Sequence, residues 1–265
     1  MIGMVRRAGG IGLRATTAVI HRATGKSSRA WNSKKSLGLV PVLMYHRVIP
    51  DEASTRGIEP GMYVRASTFE RHIRWLADRF ELATLSEVVD ATRDGRTAGL
   101  AAITFDDGWR DNLTHAWPVL RRHGARATVF LVTDWVNAAP TPDKVFLSPG
   151  EVRSLADNGV ELGAHTTSHP MLDQLPPDQI ENELRASKLA VESWTGRRCR
   201  TFAYPYGRFG EAAVAAAARH FDASVQVGGG WWNGAEPLAR IPRITIHDDV
   251  TRWVPMLEAR LAGIH

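Results

Sequence analysis

Short apolar runs alternate with amphipathic stretches along most of this chain. Seven runs read as strands: residues 40–46 (VPVLMYH), 101–107 (AAITFDD), 127–133 (ATVFLVT), 160–165 (VELGAH), 201–205 (TFAYP), 223–227 (ASVQV) and 243–247 (RITIH). Most are apolar at successive positions, the pattern of strands covered on both faces. Helical periodicity fills the spaces between them. Ser67 and Glu70 fit a capping box ahead of FERHIRWLADRF, and Ser148-Pro149 opens a helix that stops at Gly159. A third helix places Ile180, Leu184, Leu189, Val191 and Trp194 along its length and ends at Gly196.

Strand and helix alternating at this pitch predict an α/β fold with a largely parallel sheet and helices outside, either open or closed into a (β/α) barrel. Ligands in such folds sit at the carboxyl ends of strands, so chemically active residues are expected at strand exits. The exits hold His46, Asp106 with Asp107, His165, Tyr206 and His247. Adjacent carboxylates at 106 and 107 can converge on one point only where the strand ends and the backbone turns, which Gly108 permits. Such a pair suits a metal or a shared proton. His169 follows His165 by four residues, and Pro170 disfavours a helix there, so the two belong to a strand end leading into a turn. Neutral imidazoles with a carboxylate suit Zn²⁺ or a similar divalent ion, and a catalytic site uses three such ligands and keeps one position open.

Charge changes the picture at one end only. The chain has 265 residues, 44% of them hydrophobic, with nine Trp, enough for one large domain, and a net charge of +5. Residues 1–36 carry eight Lys or Arg and no acid; removing those eight from 33 leaves 25 basic against 28 acidic residues, a body near −3. The body is therefore no nucleic-acid surface. Residues 1–36 are expected to be a basic, flexible leader outside a catalytic domain at 37–265, able to touch an anionic membrane surface. Arg14 splits the apolar run GGIGLRATTAVI, which speaks against a secretory signal, and no run of 18 apolar residues occurs. A cytoplasmic location, or one peripheral to the inner membrane, is the expectation. The single cysteine, Cys199, excludes an internal disulfide and reads as a small buried hydrophobe.

TFDDG, HTTSH and FAYPYG, in that order and at strand ends, resemble the metal-dependent polysaccharide deacetylases, the NodB-homology or carbohydrate esterase family 4 type, over about residues 40–250. The resemblance implies a distorted barrel, often of seven strands, and hydrolytic removal of N-acetyl groups from an amino sugar or polysaccharide. It implies Asp107, His165 and His169 as ligands of a divalent metal, Zn or else Co, Ni or Fe. Asp106 becomes the general base, and the Tyr206 backbone N–H an oxyanion donor. One position departs from many members: Ala203 stands where an Arg pairs with the catalytic Asp, so the Asp106 pKa should be higher or its tether should come from another cation. In the poly-N-acetylglucosamine branch, which also lacks that Arg, a Tyr-His motif supplies the general acid, and Tyr45-His46 matches it; in the chitooligosaccharide branch the acid is a late histidine, for which His247 is the candidate. A deformylase or amidase acting on a lipid-linked or small amino sugar uses the same centre, and a non-catalytic carbohydrate-binding domain shares the fold. Trp231-Trp232 and Trp109 are candidate sugar-stacking faces or core. His72, His115, His123, His220 and His265 are expected to be structural.

Overall fold

The computed structural model describes residues 14–141 and 144–264. Ten strands follow in chain order: β1 (Val42–Tyr45), β2 (Arg47–Ile49), β3 (Tyr63–Arg65), β4 (Glu81–Ala83), β5 (Leu100–Phe105), β6 (Thr128–Leu131), β7 (Glu161–Ala164), β8 (Thr201–Ala203), β9 (Ala223–Gly229) and β10 (Ile241–Thr245). The seven anticipated runs became β1 and β5 to β10, and these form a closed parallel ring. Leu43 pairs with Ile103 of β5 on one side and Ile244 of β10 on the other, which shuts the barrel. β4, which hydrophobic patterning did not predict, adds to the lower part of β5, where Glu81 pairs with Leu100. β2 and β3 form a separate parallel pair beside the ring.

Helices Ala66–Ala77, Leu85–Arg93, Pro149–Asp157, Pro177–Thr195 and Glu211–His220 connect the strands. The Ser148 cap forms with Glu151 as expected, and Gly196 ends the long helix in a left-handed conformation. The capping box at Ser67 does not form. That helix starts at Ala66, its Ser67 N–H and hydroxyl both donate to Asp51, and Glu70 is drawn to Arg122 and His123 instead. A tertiary acceptor thus replaces the local one. At the opposite end of the barrel from the strand exits, Glu161 accepts from the Ser86 backbone and from the Thr128 and Thr201 hydroxyls, tying three strands and a helix together.

Residues 14–36 of the anticipated leader are largely helical. Residues 14–23 are helical, and a second helix, Lys26–Ser36, lies against Val254–Ala262. Its Trp31 is 6% exposed, edge-on to Trp75 at 5.5 Å and beside Phe80, and Lys34 donates to the Leu261 and Ala262 carbonyls. One aromatic anchor is enough to dock a helix whose remaining positions are mostly polar. Residues 1–13 lie outside the described residues. Trp31→Ala should cost about 3–5 kcal/mol of stability, read as a fall in the urea unfolding midpoint; an unchanged midpoint would return this helix to the leader.

Candidate metal centre

β5 ends at Phe105, and the chain turns at once through Asp106, Asp107 and Gly108. Asp107 has φ 77° and Gly108 φ 76°, and a Cβ on Gly108 would meet Leu131 at 2.8 Å. Among the described residues only four non-glycine positions have left-handed φ: Asp107, Thr166, His169 and Tyr206. All four belong to the three motifs at the strand exits. Such conformations are unfavourable for residues with a Cβ and persist where surrounding structure imposes them, typically around functional sites.

His165 leaves β7 and His169 returns to it across the Thr166-Thr167-Ser168 turn. Thr166 Oγ1 accepts from the His169 N–H at 3.0 Å. Glu183, from helix Pro177–Thr195, accepts from the Thr167 N–H at 2.7 Å, the Ser168 N–H at 3.0 Å and the Ser168 hydroxyl at 2.7 Å. This carboxylate pins the whole turn, yet in the sequence it is one acid on an amphipathic helix. The His165 Nδ1–H donates to the Ala203 carbonyl at 2.7 Å, which leaves Nε2 as the lone-pair nitrogen. On the third donor, Trp109 Nε1 donates to Asp107 Oδ2 at 3.0 Å, and Oδ1 faces the imidazoles.

The two Nε2 atoms are 3.2 Å apart, and each lies 3.6 Å from Asp107 Oδ1. A tetrahedral ion at about 2.1 Å from each donor spaces its donors about 3.4 Å apart, so the cluster fits a divalent ion. Its electrostatics agree. Burial pushes the Asp107 carboxyl up to about 6, with Asp106 adding to the rise, and burial brings His169 down to about 3, helped by His165. His169 is thus a neutral imidazole, and Asp107 is a buried carboxylate with no arginine or lysine ion pair among the described residues.

Asp106 is different. Burial would raise its pKa, but the Arg243 guanidinium and, more weakly, His165 outweigh that and hold it well below the usual carboxylate range. Arg243 is fully buried on β10 and grips Asp106 with both Nη atoms, at 2.6 and 2.7 Å; its Nε donates to the Gln226 carbonyl. The tether absent at Ala203 is supplied from a different strand. Sequence reasoning missed Arg243, although an arginine inside the otherwise apolar run IPRITI was the available signal.

His46 leaves β1 with its backbone carbonyl held by Asn112 Nδ2 at 2.8 Å and its Nδ1 buried without a partner. Burial lowers its pKa against the pull of Asp106. His169 in turn feels the charge on His46, which ties His46 to both halves of the centre. His247 is also lowered by burial, and the charges acting on it are those of Asp249, Arg260, His46 and Arg14. The Tyr206 ring, 57% exposed, stands edge-on to His169 at 4.5 Å, and the neighbouring Gly207 has no room for a Cβ against Val227.

Of the tryptophan candidates, Trp231 and Trp232 resolve as core, and Trp109 is half-buried beside the cluster. Trp231 and Trp232 are buried, and Trp231 Nε1 donates to the Leu261 carbonyl. Trp109 carries Arg47 over its ring at 4.3 Å and packs against Phe146, while its N–H orients Asp107. Cys199 is buried, with its thiol pushed up to about 12 by burial. His72 is enclosed by Tyr45 and the Thr251 carbonyl, His123 and His220 meet Glu70 and Glu181, and His115 contacts Thr114; His265 lies outside the described residues.

Residues 93–221 match the polysaccharide deacetylase family, a span that includes Asp106, Asp107, both clustered histidines and Tyr206. Among curated proteins, the chain is similar to YxkH of Bacillus subtilis, assigned by name to the polysaccharide deacetylases. The two are 29% identical over 191 residues, 71% of this chain and 64% of that protein, so the match spans just under two thirds of YxkH. Among solved structures, the deacetylase PplD of Streptococcus pyogenes superposes with a TM-score of 0.73 at 24% identity, covering 80% of this chain and 94% of that one. IcaB from Ammonifex degensii superposes with a TM-score of 0.71 at 22% identity, covering 84% and 97%. At these identities the two structures establish a common fold. Taken with the ordered motifs and the seven-strand ring, the sequence match means that this chain carries a polysaccharide deacetylase domain at residues 93–221.

Proposed function

We propose that this chain is a metal-dependent hydrolase that removes acetyl groups from an N-acetylated amino sugar or polysaccharide. The observation that carries the proposal is the pairing of a three-donor cluster, Asp107, His165 and His169, with an arginine-locked carboxylate at the next residue. An amide is a poor electrophile with a poor leaving group, so its hydrolysis needs an activated water, a stabilised oxyanion and a proton for the amine. A divalent ion in the cluster supplies Lewis-acid polarisation and lowers the pKa of water.

The chain's own residues supply the rest. Asp106 remains ionised beside Arg243, and each of its oxygens keeps a lone pair free of the guanidinium fork, so it orients the water and takes its proton. The Tyr206 N–H, on the turn that Pro205 and Gly207 impose, is the oxyanion donor, a role worth about 3 kcal/mol for one such group. His46 delivers the proton to the leaving amine; its link to both Asp106 and His169 favours it over His247.

Released acetate, measured on N-acetylglucosamine oligomers after chelation and after adding back Zn²⁺, Co²⁺ or Ni²⁺, tests this reading. Acetate should appear only with metal. Formate from N-formyl sugars, with no acetate from the oligomers, would make the chain a deformylase; sugar binding with no release under any metal would make it a binding domain. In the same assay His46→Ala should lower kcat about 100-fold, chiefly on the alkaline limb, with metal content intact, whereas His247→Ala stays within a few-fold. The reverse order would move the acid to His247.

A further inference from the structure

The helical stretch 14–23 is inside out for a helix packed on a globular body. Ala18 is its buried residue, set against Met256 and Ala259, while Val19 and Ile20 are 55% and 54% exposed and Ala23 is exposed beside them. A packed helix ordinarily turns its larger apolar side chains inward. Residues 14–36 are also rich in cations. Arg14, Lys26 and Arg29 are exposed and make no ion pair among the described residues, and residues 14–36 contain no acid. A pocket of about 440 Å³ opens between this stretch and helix Val254–Ala262. Arg14, His21 and Arg260 line it above Val250 and Met256, and no carboxylate does.

We propose that residues 14–36 dock this chain on an anionic phospholipid bilayer. Val19 and Ile20 enter the boundary between headgroups and acyl chains, and Arg14, Lys26 and Arg29 engage lipid phosphates. Charge complementarity selects this occupant, because exposed apolar side chains on a stretch that carries several cations and no acid suit the interface of an acidic membrane. No described helix is long and apolar enough to cross a membrane, so the contact is peripheral.

The test is co-sedimentation of the full chain with vesicles of phosphatidylcholine, alone or mixed with phosphatidylglycerol; it requires no catalysis. Binding is expected only to the mixed vesicles and should weaken as salt rises. An Arg14→Ser, Lys26→Ser, Arg29→Ser variant should bind about 100-fold more weakly, near fivefold per charge. Val19→Asp with Ile20→Asp should lose at least about tenfold. Both variants should keep the wild-type unfolding midpoint, since the altered side chains face solvent. No binding to the mixed vesicles, or wild-type binding by both variants, overturns the proposal. So does a chain that is dimeric and becomes monomeric with Val19→Asp, because the face would then belong to a second copy.

Discussion

His165→Ala and His169→Ala are each expected to lose stoichiometric divalent metal and to reduce acetate release by on the order of 10³-fold or more. Asp107→Ala should behave the same way. The cluster offers three donors and no spare, so removing one leaves two ligands and a water-filled gap where affinity depended on the full set. Metal measured by elemental analysis after gel filtration checks this. A double variant, His165→Ala with His169→Ala, that retained one ion per chain would place the metal elsewhere. Glu183→Gln provides a graded comparison. It leaves every donor in place but weakens the hold on the turn between the histidines, so affinity should fall about 10- to 100-fold, as outer-shell changes do.

The second large effect is expected at Arg243. Arg243→Met removes the guanidinium from a carboxylate that is 2% exposed, and breaking one side of a buried pair costs about 3–5 kcal/mol. Adding Asp106→Asn should recover most of that stability, because no buried charge then lacks a partner, while activity is lost with the carboxylate. The pH dependence follows from the direction of the shift. A carboxylate whose folded pKa is depressed contributes stability above its unfolded pKa, near 4, and loses it as pH falls through the lower folded value. Without Arg243, burial dominates and the Asp106 pKa rises, so the acid limb of the rate profile should move to higher pH. Urea melts with pH–rate profiles check both parts; an unmoved acid limb would show that Asp106 is not the titrating base.

The ring was legible because its strands are apolar on both faces, a pattern that survives whatever register they take. β4 was not legible: it is three residues long and begins with an exposed Glu81, so no alternation develops. The cluster of Asp107, His165 and His169 could be read because motif order and strand exits locate it without tertiary detail. Arg243 and Glu183 could not, since a charged residue in a strand or on a helix looks the same whether it meets water or a partner brought from far along the chain. Trp31 was hidden for the converse reason. It sits in a run of cations, where local composition outweighed a single side chain able to anchor the helix. Ser67 resembled a cap because local spacing cannot reveal that Asp51 will arrive first.

β10 has a consequence for how the protein matures. It closes the ring against β1 and also carries the arginine that grips Asp106. Leu43 must wait for Ile244, nearly the whole length of the domain, before the ring can shut, and contacts so distant in sequence form late and slowly. Until they form, Asp106 has no guanidinium partner. Barrel closure and the pairing of Asp106 are therefore coupled, and a nascent chain that has not yet delivered β10 lacks the guanidinium that holds this carboxylate ionised at low pH.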